Sequence, residues 1–161
     1  MVLVGVVVIV AGLGAIAGAV GRDPGLENSL LTPGATNPRV TQMTIHSTIC
    51  VAGYTATIRP LETYTEHLKY RQLDSGYNVA GDTAASHYEE DHLIPLEVGG
   101  SPRSVKNLWP EPWMTKWNAG KKDVLENVMH RLVCTGAVSL AAAQRVFVTN
   151  WIAGYQRYVV G

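Results

Sequence analysis

One part of the sequence, residues 88–100 together with residues 107–109, restricts the possible folds more than any other. It reads Tyr-Glu-Glu-Asp-His-Leu-Ile-Pro-Leu-Glu-Val-Gly-Gly, and Asn-Leu-Trp begins seven residues later. Asp91 and His92 are typical of a short extended segment that ends before a Gly-Gly turn, and Asn107 comes at the spacing expected for a returning strand. A polar segment with helical spacing follows. The order therefore predicts a strand, a turn, a second strand and a helix.

Three segments have the signals of helices, and the second of them is the helix that follows the two strands. Residues 63–73 begin with Thr63 and have Glu66 three residues later, which is a capping-box pattern. Residues 118–133 repeat apolar side chains at helical spacing, and Ser139 is a suitable cap for a last helix with an aromatic stripe. These signals predict a chain whose second half is mainly helical.

The chain divides into three parts by composition. Residues 2–20 carry no charged side chain, and nineteen residues at the helical rise of about 1.5 Å nearly cross a hydrocarbon layer of about 30 Å. We therefore expect 1–21 to be a signal peptide or a membrane anchor, and the protein to be exported: periplasmic, secreted or anchored in a membrane. Residues 22–39 lack an apolar period and are expected to be a linker, which leaves 40–161 as one folded domain.

The first part of that domain is rich in residues that favour strands. Residues 40–59 contain several β-branched and aromatic side chains, with Gly53 as a turn or bulge. This composition predicts a short β-rich region at the N-terminal side of the domain.

The chain contains two cysteines, Cys50 and Cys134. In an oxidising compartment we expect a disulfide between them, which would stabilise the fold by about 3 to 5 kcal/mol in the chain-entropy model. Two buried free thiols are the alternative. Two isolated cysteines this far apart do not predict a zinc site.

The charges are balanced in number but not in position. There are 13 Lys and Arg residues and 13 Asp and Glu residues, whereas a dedicated DNA-binding domain is more often basic. Acids outnumber bases in 62–97, and bases outnumber acids in 101–131. A cation-attracting region therefore meets a phosphate-attracting region at the Asp91-His92 motif. Two solvated faces without a partner are the alternative.

The residue types of the motif suit the hydrolysis of a phosphodiester. This reaction needs a base for the attacking water and a cation for the phosphate and leaving oxygens, which one divalent metal can supply. A neutral His, with a pKa near 6.5, is suited to be the base. Neighbouring residues on a strand point to opposite faces, so Asp91 and His92 are expected to serve different purposes.

The string Asp-His-aliphatic-aliphatic-Pro-Leu-x-x-Gly-Gly, with Asn-Leu downstream, resembles the HNH or ββα-metal nucleases. The segments 48–54, 59–60, 107–112 and 122–127 are similar to a group of small exported bacterial HNH-like proteins, over roughly residues 38–158. The resemblance implies an α+β fold in which a ββα-metal core is flanked by helices and preceded by the short β-rich region. In that core two strands and a helix hold one divalent ion.

The resemblance also implies roles for individual residues. Asp91 is expected to bind the metal, and His92 to be the general base. Asn107 takes the place of an asparagine that ties the two strands together and holds the catalytic loop. Asn118 is expected to be the metal ligand on the helix, with Lys121 in an Asn-x-x-Lys pattern. Other residues of that helix could replace Asn118 as the ligand: Asp123, Asn127 and His130.

Hard oxygen ligands favour Mg²⁺, with Mn²⁺ or Ca²⁺ as alternatives. The expected function is a metal-dependent, largely sequence-nonspecific endonuclease that acts on DNA or RNA outside the cytoplasm as a monomer. Residues 2–20 would provide any membrane contact. Five basic side chains are expected to hold the backbone phosphates: Arg103, Lys106, Lys116, Lys121 and Lys122.

Two other functions remain open from the sequence. The chain could be a non-catalytic cell-envelope protein that keeps the ββα core as a scaffold, because a fold does not determine a function. It could also be a metal hydrolase of another class that uses Glu89 or Glu90 with His92.

Overall fold

The structure is a computed structural model, and it describes residues 22–161. Residues 1–21, with the expected signal peptide or anchor, lie outside the described residues. The described part is a mixed α+β fold with four helices and a two-stranded antiparallel sheet. The elements are α1 (Tyr54–Ile58), α2 (Glu62–Asp74), β1 (Tyr88–His92), β2 (Leu108–Pro112), α3 (Ala119–Cys134) and α4 (Leu140–Tyr155). Short 3₁₀ turns lie at Ile45–Ser47, Ala85–His87 and Leu96–Val98, and a π turn at Gln156–Val160.

The predicted strand, turn, strand and helix are confirmed by β1, β2 and α3. The two strands are antiparallel, with Asp91 opposite Trp109 and His92 opposite Leu108. The Gly-Gly turn lies in the connection, where a Cβ atom on Gly100 would lie 1.7 Å from the carbonyl oxygen of Ile94. Only glycine allows such a close approach of two backbone segments.

Helices α2, α3 and α4 lie where the sequence predicts them. Helix α2 covers the predicted segment, but it begins at Glu62 and no side chain caps it, so the capping box at Thr63 is wrong. Helix α3 begins after Asn118 and α4 after Ser139, and each of these two residues caps its helix with a side-chain oxygen. Such caps satisfy backbone N–H groups that have no partner within the helix.

The prediction of a β-rich region in 40–59 is wrong. Within the described residues no strand precedes β1, and this segment forms a 3₁₀ turn and the short helix α1. Ile45 and Ile49 are both buried in the core, and they lie four residues apart. The amides of Thr48 and Cys50 both donate to the carbonyl oxygen of Ile45, so the backbone between the two isoleucines is turned and not extended.

The segment 22–39, predicted to be a linker, lies against the domain. The indole nitrogen of Trp151 donates a hydrogen bond to the carbonyl oxygen of Gly25 at 3.0 Å. The amide of Asn37 donates to the carbonyl oxygen of Gly99 at 2.8 Å. The segment therefore contacts the folded domain at these two points.

The main core lies between α3, α4 and the first turns of the domain. Its buried residues from the two helices are Leu125, Met129, Val133, Leu140, Ala143, Phe147, Trp151 and Ile152. At the end of α3 the predicted disulfide is confirmed, because Cys50 is bonded to Cys134 with 5.6 Å between their Cα atoms. No helix in 22–161 combines the length and the apolar character needed to cross a membrane.

Candidate functional site

Asn107 fixes the loop that follows β1. Its side chain is fully buried, and its Oδ1 accepts hydrogen bonds from the amides of Ile94 at 2.9 Å and Ala35 at 3.3 Å. Its Nδ2 donates to the carbonyl oxygens of Ile94 at 2.9 Å and Ser101 at 3.1 Å. One amide side chain therefore satisfies four backbone groups and joins the end of β1 to the start of β2.

His92 ends β1 and is only 3% exposed. Its Nε2 lies 3.0 Å from the carbonyl oxygen of Pro102. A carbonyl oxygen can only accept, so Nε2 carries the hydrogen and Nδ1 carries the lone pair. Nδ1 makes no hydrogen bond within the described part of the chain. Burial lowers the pKa of His92, although the carboxylate of Asp91 acts in the opposite direction, so the imidazole is neutral at pH 7.

His92 lines a cleft of about 540 Å³ beside β1 and α2. Trp113 also lines this cleft and is 40% exposed. The charged groups of the lining are Arg59, Glu62, Glu66, Lys69, Glu89 and Glu90. Carboxyl groups outnumber basic groups here, so the cleft favours cations unless some carboxyls are protonated.

Two carboxyl groups of the cleft are perturbed. Burial raises the pKa of Glu90 to about 9, and the nearby carboxylate of Asp91 adds to the shift. Burial and Asp91 also raise the pKa of Glu89 to about 7. Both carboxyl oxygens of Glu90 are buried and have no hydrogen-bond partner among the described residues. Glu90 therefore keeps its proton at neutral pH, and the cleft is less negative than the sequence indicates.

Asp91 contacts α3 through Lys122. The ammonium of Lys122 donates to Asp91 Oδ2, to Glu126 Oε1 and, at 2.8 Å, to the carbonyl oxygen of His92. Glu111 Oε2 lies 3.7 Å from the same nitrogen. The side chains of Lys122 and Glu111 are fully buried, while those of Asp91 and Glu126 are each 12% exposed. We name these four residues the carboxylate–lysine cluster.

The cluster holds three carboxyl groups and one ammonium. Burial alone would raise the pKa of Asp91, but the Lys122 ammonium holds it below its usual range. Burial would likewise lower the pKa of Lys122, but Asp91 and the other carboxyl groups raise it. Burial raises the pKa values of Glu111 and Glu126 well above their usual range, against the attraction of Lys122. Asp91 and Lys122 are therefore the charged pair, and burial favours the protonated forms of the two glutamates.

The placement of Lys122 contradicts its predicted contact with a phosphate. Its ammonium is enclosed by Asp91 and Glu126 and has no surface exposure. The spacing of Lys122 and Glu126, four residues apart on a helix, is the one sequence signal that pointed to this pairing. Of the other predicted phosphate contacts, Lys121 is partly exposed and three are exposed: Arg103, Lys106 and Lys116.

Asn118 caps α3 and lies near the cleft. Its Oδ1 accepts a hydrogen bond from the amide of Lys121 at 3.2 Å. A Cβ atom on Gly120 would lie 3.7 Å from both Asn118 Oδ1 and Trp113 Cζ3, which places Asn118 beside a residue of the cleft lining. Asp91 reaches α3 one turn further on, at Lys122.

The carboxyl groups around Asp91 offer oxygen atoms as donors, and the Lys122 ammonium lies among them as their cation. Asp91 and Glu126 each bind Lys122 through one oxygen and keep partial exposure. The carboxyl groups also outnumber the one cation between them, and carboxylate oxygens are ligands that Mg²⁺ prefers. Glu126 joins this set from the next turn of α3, while His130, which shares its helix face in the sequence, does not. Asp123 and Asn127 are exposed on α3, and the Asn127 amide bonds to its own helix at the carbonyl oxygen of Asp123.

A second group that could hold a metal ion lies at the other end of α3. It consists of Cys50, His130 and Cys134, whose ligand atoms all lie within 4.8 Å of one another. His130 was an alternative ligand for the divalent ion at the Asp91 site. It lies instead beside the disulfide, with Nε2 at 2.8 Å from the carbonyl oxygen of Ile49.

Comparison with known proteins does not assign the chain. No protein-family model, curated protein or solved structure matches it. Its function therefore has to be inferred from the site.

Proposed function

We propose that the protein is a metal-dependent, largely sequence-nonspecific endonuclease with His92 as its general base. The observation that carries the proposal is the state of the His92 ring. The carbonyl oxygen of Pro102 fixes the hydrogen on Nε2, and burial keeps the ring neutral. Nδ1 therefore has a free lone pair, and His92 is one of the residues that line the cleft. A base in this state can accept a proton at neutral pH.

The chemistry at His92 is proton abstraction from water. The water oxygen forms a bond to phosphorus, its proton passes to Nδ1, and the bond from phosphorus to the leaving oxygen breaks. The resulting imidazolium is stabilised by two neighbours: the carbonyl oxygen of Pro102 and the carboxylate of Asp91. Asn107 acts as a positioning residue, because it holds the loop in which His92 is oriented.

A divalent ion, when bound, would relieve negative charge on the phosphate and leaving oxygens. Asp91 and Asn118 would hold it, with Glu126 as a further carboxylate. Mg²⁺ is the ion we expect, and Mn²⁺ or Ca²⁺ could replace it, since all three prefer oxygen ligands.

Exposed side chains of the domain support a nucleic-acid substrate. Exposed basic side chains at Arg103, Lys106 and Lys116 can contact phosphates without reading a base sequence. Trp113, at the cleft, offers an exposed ring on which a base can stack. The proton on Glu90 removes one negative charge that would repel a phosphate.

The Cys50–Cys134 disulfide supports the proposal that the protein works after export. Disulfides persist in secreted and periplasmic proteins and are rare in the cytosol of mesophiles.

A non-catalytic envelope scaffold is the second candidate, and the carboxylate–lysine cluster favours it. The Lys122 ammonium already provides a cation to Asp91. The fold could therefore be stable around Asp91 with no metal and no reaction.

The test is plasmid nicking by the full chain, purified with the disulfide formed. Supercoiled plasmid is incubated with Mg²⁺, with Mn²⁺ or with EDTA, and His92→Ala is compared with the wild type. We expect metal-dependent nicking that falls about 10²- to 10⁴-fold in His92→Ala, since general-base catalysis contributes that much. His46→Ala is the matched control, because His46 is exposed on the 3₁₀ turn at residues 45–47, and it should nick at the wild-type rate.

Two results would contradict the proposal in different ways. If His92→Ala nicks as fast as the wild type, His92 is not the base. If the folded wild type nicks with none of the metals, the envelope scaffold becomes the better interpretation.

A further inference from the structure

We propose that Cys50, His130 and Cys134 form a metal site for a borderline or soft cation, with Zn²⁺ as the natural occupant, when the disulfide is reduced. This site lies at the C-terminal end of α3, away from the Asp91 end of that helix. The proposal does not depend on the nuclease proposal, because it uses none of the same side chains.

The geometry suits a single ion. His130 and Cys134 lie four residues apart on α3 and so share a face of the helix, while Cys50 faces them at a Cα–Cα distance of 5.6 Å from Cys134. Zinc binds sulfur at about 2.3 Å and nitrogen at about 2.0 Å, so two ligands of one tetrahedral ion are about 3.3 to 3.8 Å apart. The three ligand atoms already lie within 4.8 Å of one another. Rotations of the side chains are then enough to bring them to one ion.

The hydrogen bond of His130 prepares its ring for a metal. Nε2 lies 2.8 Å from the carbonyl oxygen of Ile49, the residue directly before Cys50. Because a carbonyl oxygen only accepts, Nε2 carries the hydrogen and Nδ1 keeps the lone pair that a cation needs. A histidine ligand whose second nitrogen donates to a backbone carbonyl is the usual arrangement around protein-bound zinc. We therefore assign Nδ1 as the ligand atom.

The position at the end of α3 also favours a cation. The last turn of a helix presents carbonyl groups and a partial negative charge. Cys134 is the last residue of α3, and the capping amide of Thr135 bonds back to Arg131 and Val133. A divalent ion beside this turn is stabilised by that charge.

Reduction is the step that creates the ligands. The metal ligand is a thiolate, and a disulfide sulfur is not one. A dithiol reductant gives two electrons and two protons, the Cys50–Cys134 bond breaks, and the reductant leaves as its own disulfide. Binding of Zn²⁺ then releases the two thiol protons as two Zn–S bonds form, and water fills the fourth position. In the reverse direction a disulfide oxidant takes up two electrons and two protons and leaves as a dithiol, the Cys50–Cys134 bond forms again, and the ion is released.

The consequence is that the end of α3 can be attached to Cys50 by either of two bonds. In oxidising surroundings a covalent bond holds the end of α3 to Cys50, and in reducing surroundings a metal ion holds the same two positions. The chain would therefore keep α3 attached before the disulfide has formed.

The experiment is a cobalt titration of the full chain, reduced with a phosphine and freed of metal. Co²⁺ is the probe because thiolate ligation gives a charge-transfer absorption and a tetrahedral site gives intense visible bands. We expect one equivalent of Co²⁺ to bind with both signatures, and Zn²⁺ to displace it. The oxidised protein keeps Asp91 and its neighbours but has no thiolates, so it should show neither signature.

The Co²⁺ affinities of two histidine variants show whether His130 is a ligand or whether reduction of the cysteines alone creates the site. His130→Ala should bind Co²⁺ more than tenfold more weakly, because loss of even a supporting outer residue costs about 10- to 100-fold. His46→Ala, an exposed histidine outside the site, should bind as the wild type does. Equal affinity in His130→Ala and the wild type would remove His130 from the site.

Circular dichroism of the same samples covers the case in which reduction unfolds the chain. A reduced chain that has lost helix should regain it on addition of Zn²⁺, because binding free energy then becomes folding free energy. The proposal is overturned if the folded reduced chain binds no more Co²⁺ than the Cys50→Ser/Cys134→Ser variant. It is equally overturned if Zn²⁺ does not restore the helix of an unfolded reduced chain.

Discussion

The two halves of α3 use the same spacing for different chemistry. Lys122 and Glu126 lie one turn apart in the first half, and His130 and Cys134 lie one turn apart in the second. Lys122 of the first pair forms ion pairs with residues of β1 and β2. The second pair meets the segment around Cys50 through a covalent bond and a hydrogen bond.

The difference shows how one helix can be held by contacts that respond to different conditions. The carboxylate–lysine cluster depends on protonation, because burial sets its charge balance. The disulfide depends on reductant and is indifferent to pH over the range in which proteins are usually stable. Substitutions in the two halves of α3 should therefore lower the free energy of unfolding by different amounts, and only the loss in the first half should depend on pH.

The largest loss of stability is expected from removal of the disulfide. It closes a separation of 84 residues, and replacement of both cysteines by serine should lower the free energy of unfolding by about 4 to 5 kcal/mol in the chain-entropy model. Urea denaturation measures this change, and the loss should be the same at pH 5 and pH 8. A loss below about 1 kcal/mol would show that the disulfide is not what holds the end of α3.

The next largest loss is expected from Lys122→Met. This change leaves Asp91, Glu111 and Glu126 without the cation that they surround, and breaking a buried ion pair in this way costs about 3 to 5 kcal/mol. Urea denaturation at pH 7 gives the value. Lys116→Met is the matched control, because Lys116 is exposed and should change stability by less than about 0.5 kcal/mol.

The pH dependence of Lys122→Met distinguishes charge from packing. The folded pKa values of Glu111 and Glu126 already lie above their ordinary value of 4.5, so stability falls as pH rises above that value. Without Lys122 these pKa values rise further, and the low pKa of Asp91 is lost as well. The deficit should therefore be largest near pH 8 and shrink toward pH 4. A deficit that is constant over this range would assign it to lost packing.

The smallest effect is expected at the start of α3. Asn118→Ala removes the cap and should lower stability by about 1 kcal/mol, while Asn118→Ser should keep it, since serine caps as well as asparagine does. Serine is also a weaker ligand than an amide oxygen for a hard cation. If Asn118 binds the metal, Asn118→Ser should lower metal-dependent nicking with little change in the urea midpoint. Wild-type nicking by Asn118→Ser would leave Asn118 with a capping role alone.

The β1–β2 hairpin, α3 and α4 could be predicted because their signals are local. Gly100 is required where two backbone segments nearly touch, and Asn118 and Ser139 cap the helices that they precede. Each of these signals depends on residues only a few positions apart. The disulfide could be predicted because the chain offers one possible pair.

The remaining features depend on which faces become buried. Helical spacing shows that Lys122 and Glu126 share a face, but it does not show that this face meets Asp91 rather than solvent. Lysine is almost always exposed, so the sequence favoured a phosphate contact. Residues 40–59 have strand-forming composition, yet Ile45 and Ile49 are buried in the core from a turned backbone, because packing in the core overrides local preference.

Asn107 links the shape of the His92 loop to the order in which the chain is made. The backbone of Ile94 is held on both its amide and its carbonyl by a side chain that lies thirteen positions later in the chain. A nascent chain that ends before Asn107 contains His92 and the complete Gly-Gly turn, but it lacks the side chain that holds both backbone groups of Ile94. The backbone groups of Ala35, Ile94 and Ser101 are therefore joined through one side chain only when the second strand arrives.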